Sequence, residues 1–496
     1  MLCLLLVTQF VVLLAYALGT FAQNGRTDWS ASPFNLPAFP LAVRSPYSTT
    51  WLPQGNSPQT LSESWPRIWS INAIIDWYAL VSVDGQAYRI SRATDVANVT
   101  TANQTAVEFI STRTSFLFAT GWNADQRILL QPRRLMDLVR QSLPFSYLTM
   151  SAAKSVDGTA HILRMYSDIS GEFITADTPQ LAQWSSREDG QYVILSMRPL
   201  TQKQYSEDAG IAQDATEYYA FKKIDGTTVS WAISNDTVNR ATAVNTNTTL
   251  GNTTQLSPRP VQELSSLNNW TTLGISVDWG NIDSTPQPAV WAISLVRSPW
   301  CSTRLESAMK AFLDDFPRAQ SAAETFDSQI LNTGQQFSAE YADLLALTVR
   351  QVMGCMDITL SKSSDGSWNM SDVKVFTKNM GGIGTDVLGY TLSVNIIDTL
   401  YSAFPAFLYL NPELGGYMLS PLLEYQNSPA YTLSNSERNI GTTYPNATAD
   451  GINNSHDYGV EETANMLIMT LAQLGGISRK QYIDTVKPEI SGFHLR

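Results

Sequence analysis

The strand content of the chain is clearest in the run Trp77-Tyr78-Ala79-Leu80-Val81-Ser82-Val83, which stops at the turn pair Asp84-Gly85. Apolar and β-branched residues that end at an Asp-Gly pair are typical of a strand entering a tight hairpin turn. The same pattern flanks the turn sequence Val156-Asp157-Gly158-Thr159 and follows Asp225-Gly226. Short strands separated by turns predict a large antiparallel β-sandwich domain over residues 68–298.

The pattern changes near Pro299, where apolar residues take helical spacing. A helical domain is therefore expected over residues 299–496, with its boundary to the sandwich between Val296 and Ser302. Pro317, Pro412 and Gly475-Gly476 stand where helices are expected to end. The spacing predicts individual helices over residues 305–316, 339–356, 394–410 and 461–474.

Two segments precede the sandwich. Residues 1–22 carry no charged side chain and end with small residues at Thr20 and Ala22, which is typical of a secretory signal peptide. An uncleaved membrane anchor is the alternative, because the basic residues that usually begin a signal peptide are missing. Residues 23–67 are rich in Pro, Ser and Trp, and we expect an extended N-terminal arm lying on the sandwich.

Glycosylation sequons support export. A secreted, extracellular protein is expected, with attachment to a cell wall as an alternative location. The pattern Asn-x-Ser/Thr predicts glycan attachment on surface loops of a secreted protein. It begins at Asn98, Asn103, Asn235, Asn247, Asn252, Asn269, Asn369, Asn446 and Asn453.

The charge balance limits the chemistry. The 496 residues include 32 basic and 44 acidic side chains, for a net charge of −12, which argues against nucleic acid as a partner. The three histidines form no pair at metal-ligand spacing, which argues against a Cys/His zinc site, while carboxylate sites for calcium remain open. We expect no metal site and no cofactor. Cys301 and Cys355 fit either one disulfide or two isolated thiols.

The strongest candidate for catalysis is His456-Asp457-Tyr458-Gly459-Val460-Glu461-Glu462, where a polar loop runs into an apolar helix. Asp457 and Glu461 share a helix face if the helix has begun there. Acidic residues are also ordinary helix-start signals, so a purely structural interpretation stays open. On chemical grounds we predict Asp457, Glu461 and Glu462 as catalytic carboxyls, with Asp457 or Glu461 as the general base.

Other motifs give weaker indications. Ser-x-x-Lys, which can mark a serine nucleophile, occurs three times in unrelated contexts, as expected by chance. Neither a G-x-S-x-G elbow, a Walker loop nor a G-x-G-x-x-G turn is present, which argues against serine esterases, NTPases and dinucleotide enzymes. The tryptophans Trp51, Trp65, Trp69 and Trp77 fit a sugar-stacking platform, but packing of the arm onto the sandwich is the preferred interpretation.

Several longer segments resemble fungal glutaminase A, from about residue 38 to about residue 475. In the N-terminal region these are Pro40–Tyr47, Thr50–Pro53, Trp65–Trp69 and Val83–Tyr88. In the central region they are Ala403–Leu414, Pro421–Tyr425, Gly441–Thr448 and Val460–Met469.

This resemblance implies an enzyme that hydrolyses L-glutamine to L-glutamate and ammonia. It also implies an N-terminal β-sandwich followed by an α/α barrel of the six-hairpin glycosidase type. His456, Tyr425 and Lys378 lie in or beside family-like segments and are expected to bind the substrate. The alternative is a glycoside hydrolase or carbohydrate-binding protein of the same architecture, and a third possibility is a secreted protein without activity.

Two departures from the family limit this expectation. The resemblance to the family is interrupted at residues 381–391 and ends after Gly476. A barrel of twelve helices, each of about 11–12 residues, needs about 160–240 residues with its loops. Residues 299–496 include several loops, which leave room for four to seven helices. We therefore expect a truncated, partial α/α toroid without activity, whose exposed apolar faces favour aggregation unless a partner covers them.

Overall fold

The computed structural model describes residues 29–476, except 55–58, 69–72, 92–95, 121–122, 130–136, 156, 209, 246, 263–268, 298–301, 355, 380–392 and 442–457. The predicted signal peptide, Cys301 and Cys355 lie outside the described residues. Most of the predicted boundary between the sandwich and the helices lies outside them as well. No helix of the described part is long and apolar enough to cross a membrane.

The N-terminal half is β-rich, and two large sheets dominate it. The first has ten described strands in the spatial order β1 (Ser30–Ser32), β9 (Asn103–Phe109), β10 (Arg113–Ala119), β11 (Asn123–Leu129), β12 (Phe145–Ala152), β23 (Ala289–Arg297), β18 (Ala215–Lys222), β15 (Tyr192–Pro199), β14 (Leu181–Asp189) and β21 (Arg259–Pro260). The second has seven, in the order β20 (Thr253–Thr254), β19 (Thr228–Asn235), β22 (Thr271–Ile282), β13 (His161–Ser170), β6 (Trp77–Val83), β7 (Gln86–Ser91) and β8 (Val99–Thr101).

Strand pairing within these sheets is antiparallel with three exceptions among the described strands. The pairs β1/β9, β7/β8 and β19/β20 are parallel, and each lies at the edge of its sheet. Residues of both sheets, among them Trp77, Met165 and Trp291, share one buried apolar cluster. This shared cluster follows from the alternation of apolar residues along the strands, which turns one face of each sheet inward.

Part of the segment expected to be an extended arm forms a further sheet together with Ile68, Ala73 and Ile74, while Ser30–Ser32 joins the ten-stranded sheet. The strands of the further sheet are β2 (Ala38–Ser45), β3 (Ser48–Pro53), β4 (Arg67–Ile68) and β5 (Ala73–Ile74). All eight residues of β2 are buried, which local composition did not reveal. Trp77 lies in the sandwich core and the Trp51 and Trp65 side chains are half-buried, so packing rather than an open sugar platform describes them; Trp69 lies outside the described residues.

The C-terminal half is helical. Short helices α1 (Leu138–Gln141) and α2 (Asp236–Val244) and a 3-10 turn (Gly171–Phe173) precede it. Its described helices are α3 (Ser302–Asp314), α4 (Phe316–Gln335), α5 (Ala339–Gly354), α6 (Ile397–Leu410), α7 (Pro412–Gln426) and α8 (Gly459–Gly476). Two short hairpins complete the fold, β16 (Glu207–Asp208) with β17 (Ile211–Ala212), and β24 (Met356–Lys362) with β25 (Trp368–Thr377).

The expected helix ends at Pro317 and Pro412 are confirmed, because α3 ends at Asp314 and α6 ends at Leu410. Each proline also stands in the first turn of the next helix, α4 or α7, where it lacks only an N–H that a helix start leaves unpaired. Residues 361–371 belong largely to the hairpin β24/β25.

Helix α3 joins the two halves. It packs on the outer face of the ten-stranded sheet, where Phe312 stacks on Tyr147 with ring centroids 3.9 Å apart. The hydroxyl of Tyr147 donates a 2.6 Å hydrogen bond to the backbone carbonyl of Phe312. The central strands β12, β23, β18 and β15 are therefore covered on both faces, and they carry apolar residues on both sides.

Candidate functional site

Helices α6 and α8 begin at the same end of the helical region, and a carboxyl group stands in the first turn of each. Asp398 lies in the first turn of α6 and Glu462 in the first turn of α8. The side chain of Arg438, from the segment after α7, lies between them. Its Nη2 is 3.0 Å from Oδ2 of Asp398, and its Nε is 3.6 Å from Oε1 of Glu462.

Backbone contacts place Arg438 at this junction. The backbone N–H of Ile397, at the start of α6, donates to the carbonyl of Arg438 at 3.0 Å. The N–H of Ser436 donates to Oγ1 of Thr463, in the first turn of α8, at 2.9 Å. The N–H of Glu437 donates to Oε1 of Gln426, near the end of α7, at 3.1 Å. Contacts with three helices therefore fix the backbone segment that carries Arg438.

Burial separates the two carboxyl groups. Glu462 is 0% exposed, whereas the side chain of Asp398 is 43% exposed. Burial, and next the facing carboxyl of Asp398, raises the pKa of Glu462 to about 8, although Arg438 opposes the shift. Neither side-chain oxygen of Glu462 meets a hydrogen-bond partner in the described part of the chain.

This arrangement can move a proton at neutral pH. Glu462 holds its proton up to about pH 8, and it faces a more exposed carboxyl that can contact a ligand. A buried acid paired with an accessible carboxylate is a common arrangement for general acid–base chemistry. The half-exposed ring of Tyr458, 5.6 Å from the Arg438 guanidinium carbon, borders the cluster.

Of the three predicted catalytic residues, the structure describes Glu461 and Glu462. Glu462 is part of the cluster. Glu461 is exposed, and its charge raises the pKa of Glu462 slightly. Asp457 and the neighbouring His456 lie outside the described residues. A catalytic role for Asp457 or Glu461, and substrate binding by His456, stay predictions.

The other two predicted substrate-binding residues lie elsewhere. Tyr425 is half-buried in α7, with its ring 5.6 Å from that of Tyr431. The ammonium of Lys378 is 2.5 Å from Oε2 of Glu207, with 1% of the side chain exposed. Substrate binding by these residues stays a prediction, and the buried pairing of Lys378 with Glu207 does not favour it.

Sequence reasoning missed Asp398 and Arg438. Asp398 resembles any acidic residue in a first helical turn, and Arg438 lies in a polar segment without periodicity. The two residues are 40 positions apart, so no local pattern links them. Arg438 is one of few arginines in the helical half, which carries few charges, and this scarcity draws attention to it. The scarcity does not show which residues Arg438 contacts.

The predicted glycosylation sites differ in exposure. Asn98, Asn103, Asn247 and Asn252 are exposed. Asn235, Asn269 and Asn369 are half-buried, while Asn446 and Asn453 lie outside the described residues. Attachment of glycans stays a prediction. No group of three or more His, Cys, Asp or Glu that could hold a metal ion occurs among the described residues.

Comparison with known families covers both halves of the chain. Residues 112–333 match a domain of unknown function, DUF5127, and residues 338–492 match the glutaminase A six helical-hairpin domain. Glutaminase A of Aspergillus oryzae is 29% identical over 483 residues, which cover 92% of this chain and 66% of that protein. The chain is thus similar to fungal glutaminase A over most of its length. Asp398, Arg438 and Glu462 all lie within the match to the six helical-hairpin domain.

A second curated relative and a solved structure also align with this chain. A probable glutaminase of Arthroderma benhamiae is 24% identical over 526 residues, covering 97% of this chain and 57% of that protein. The chain therefore spans two thirds or less of the length of these curated family members. A family GH92 α-mannosidase of Bacteroides thetaiotaomicron aligns with 76% of this chain and 42% of its own, at a TM-score of 0.30 and 10% identity.

Proposed function

We propose that the chain is a secreted, glutaminase-like amidohydrolase that converts L-glutamine to L-glutamate and ammonia without a cofactor. The observation that carries the proposal is the Asp398–Arg438–Glu462 cluster within the match to the glutaminase A six helical-hairpin domain. The names of the two relatives support the same reaction class.

In this proposal Asp398 is the catalytic residue, because its carboxyl is the exposed one. Asp398 accepts a proton from a water molecule whose oxygen attacks the side-chain amide carbon of glutamine. The carbon–nitrogen bond then breaks, and the nitrogen leaves as ammonia after it receives that proton. Glu462 and Arg438 act as positioning residues, since they hold the Asp398 carboxyl and set its charge environment.

The test is release of ammonia and glutamate from L-glutamine by the purified full chain. We expect Asp398→Asn to lower kcat/KM by about 100-fold or more, in the range that general acid–base catalysis contributes. Glu461→Gln is the matched control and is expected to stay within about twofold. If Glu461→Gln or Asp457→Asn abolishes activity while Asp398→Asn does not, the base is the one predicted from sequence and our assignment is wrong.

The same assay tests two further expectations. The prediction of an inactive, partial toroid is supported if the folded chain releases no ammonia, and it is wrong if the chain turns over glutamine. The glycoside hydrolase alternative requires two carboxyls about 5–9.5 Å apart across a sugar. Asp398 and Glu462 both lie at the guanidinium of Arg438, and a structure of the chain with a bound sugar would test whether the two carboxyls flank it.

A further inference from the structure

A cavity of about 320 Å³ opens on the outer face of the ten-stranded sheet, away from the Asp398–Arg438–Glu462 cluster. Tyr218, Val296 and Leu305 form its apolar side. Its volume is at the lower end of the range for small-molecule sites, about 300–1,000 Å³. The cavity is therefore large enough for a small organic molecule.

Strand register brings the polar side chains of the cavity together. Gln183 on β14 pairs with Arg198 on β15, and Ser185 pairs with Ser196. Ser196 pairs in turn with Tyr218 on β18. Because side chains alternate between faces along a strand, these residues all stand on the outer face of the sheet. The site is thus built on three paired strands and not on a loop.

The guanidinium of Arg198 is held by neutral groups. Its Nη1 donates to Oε1 of Gln202 at 3.0 Å. Its Nε and Nη2 each lie 3.1 Å from the end of the Gln183 side-chain amide, which accepts from both when its oxygen faces the guanidinium. Gln202 is itself fixed, because its amide nitrogen donates to the carbonyl of Asp214 at 2.9 Å. A guanidinium has five N–H donors, so one on each terminal nitrogen remains.

Arg198 has no ion-pair partner among the described carboxylates, unlike the other charged groups nearby. Arg297, which also borders the cavity, is paired with both carboxylate oxygens of Asp214 at 2.8 and 3.2 Å. Glu306 lies near Tyr218, but its carboxylate is bound by Arg187. None of the residues that line the cavity is acidic. The lining therefore presents one uncompensated cation.

Tyr218 adds a ring and a hydroxyl beside this cation. The ring belongs to the buried cluster under α3, and the hydroxyl forms no hydrogen bond with any described residue. An anion seated against Arg198 can thus accept from the guanidinium and from this hydroxyl, while a planar apolar group rests on the Tyr218, Val296 and Leu305 side.

We propose that this cavity binds a small organic acid, with its carboxylate on Arg198 and its planar apolar body against Tyr218. A carboxylate offers two acceptor oxygens for the two remaining donors of the guanidinium. A neutral sugar fits less well, because carboxylate acceptors for sugar hydroxyls are missing from the lining. The site is independent of the proposed hydrolysis, since it shares no residue with the Asp398–Arg438–Glu462 cluster.

The test is titration of the full chain with benzoate and with its neutral analogue benzamide, followed by calorimetry and ligand-observed NMR. We expect benzoate to bind at least about 10-fold more tightly than benzamide, because only the anion engages the cation of Arg198. Arg198→Gln is expected to weaken benzoate by about 10-fold or more and to leave benzamide unchanged. Tyr218→Phe keeps the ring and is expected to weaken benzoate by about two- to fivefold.

Two controls separate this site from a general anion effect and from hydrolysis. Arg113→Gln removes an arginine elsewhere on the same sheet, and Asp398→Asn alters the proposed catalytic group; both are expected to leave benzoate binding unchanged. Circular dichroism and the thermal midpoint confirm that each variant is folded. Equal affinity for benzoate and benzamide, undiminished binding in folded Arg198→Gln, or no binding at all overturns the proposal.

Discussion

Each half of the molecule contains a cluster of one arginine with carboxyl groups, and the two clusters differ in burial and in role. In the sandwich, Arg240 is fully buried and binds Asp168 through two hydrogen bonds of 2.9 and 2.8 Å, Asp76 at 2.9 Å and Asp236 at 3.4 Å. In the helical half, Arg438 lies between one buried and one exposed carboxyl.

The difference shows how burial separates structure from chemistry. The Arg240 cluster is enclosed, with the ring of Tyr78 4.7 Å from the guanidinium carbon, so no substrate reaches it and its role is to hold β6, β13 and α2 together. The Arg438 cluster is open at Asp398 and keeps a protonated acid behind it. An ionic cluster that is closed on all sides contributes to structure, and one that is open on one side is available for catalysis.

The largest expected effect is on folding stability when Arg240 is removed. Arg240→Met leaves three carboxyls buried without their cation, and loss of one partner from such a buried group costs about 3–5 kcal/mol. Arg438→Met is the matched variant and is expected to cost about 1–2 kcal/mol, because Asp398 can be hydrated and Glu462 already holds a proton. Urea unfolding of both variants measures the difference. Equal losses would contradict the contrast between the two clusters.

The next largest expected effect is a pH dependence of the free energy of unfolding, to which one buried glutamate in each half contributes. Burial raises the pKa of Glu462 to about 8, and burial next to Asp76 raises the pKa of Glu172 in the sandwich to about 8. Between the ordinary glutamate pKa and pH 8 the native state binds more protons than the unfolded state. The free energy of unfolding therefore falls as the pH rises through this range.

Each of these two glutamates accounts for about 2–3 kcal/mol of that fall between pH 5 and pH 7.5. Glu462→Gln and Glu172→Gln are each expected to flatten the pH profile, whereas exposed Glu461→Gln is expected to leave it unchanged. Urea midpoints from pH 5 to pH 8 give the profiles. A steep profile that persists in both glutamine variants would refute this origin.

A third effect tests close packing in the helical half. A Cβ atom added at Gly334, near the end of α4, would lie 2.3 Å from the Cα of Ala342 in α5. Since backbone cannot yield as a flexible side chain does, Gly334→Ala is expected to destabilise the protein by about 1–3 kcal/mol. Gly366→Ala, on the open turn of β24/β25, is a control for backbone strain without a clash. A midpoint of unfolding unchanged by Gly334→Ala would show that α4 and α5 separate freely.

The smallest effect is expected at the sandwich surface. His161 contacts Asp84 at 2.6 Å and Asp157 at 3.2 Å, and these hydrogen bonds raise the pKa of the imidazole. The stabilisation is present while His161 is protonated and is lost as the pH rises through its raised pKa. His161→Gln should lower the unfolding midpoint slightly at pH 5.5 and leave it unchanged at pH 9, as scanning calorimetry can check. A larger loss at pH 9 would contradict the assignment.

Elements with a strong local pattern could be predicted, and elements that depend on distant partners could not. Helix α8 follows the apolar spacing found over residues 461–474, and β6 coincides with the run before Asp84-Gly85. Pro317 and Pro412 correctly marked the ends of α3 and α6, but the sequence pattern did not show that each proline also begins the next helix, α4 or α7. The buried sheet β2–β5 was missed because its burial comes from the bodies packed around it.

The sequence by itself determined the order of a β-rich half and a helical half, the resemblance to fungal glutaminase A, and the presence of Glu462 at a helix start. Those features rest on periodicity and on contiguous motifs, which a linear chain displays directly. Only the tertiary structure decided that Asp398 and Arg438 join Glu462, that Lys378 is buried on Glu207, and that Arg198 borders a cavity without a carboxylate. Such contacts unite residues far apart in the chain, and burial, which sets the pKa of Glu462, exists only once the helices have packed.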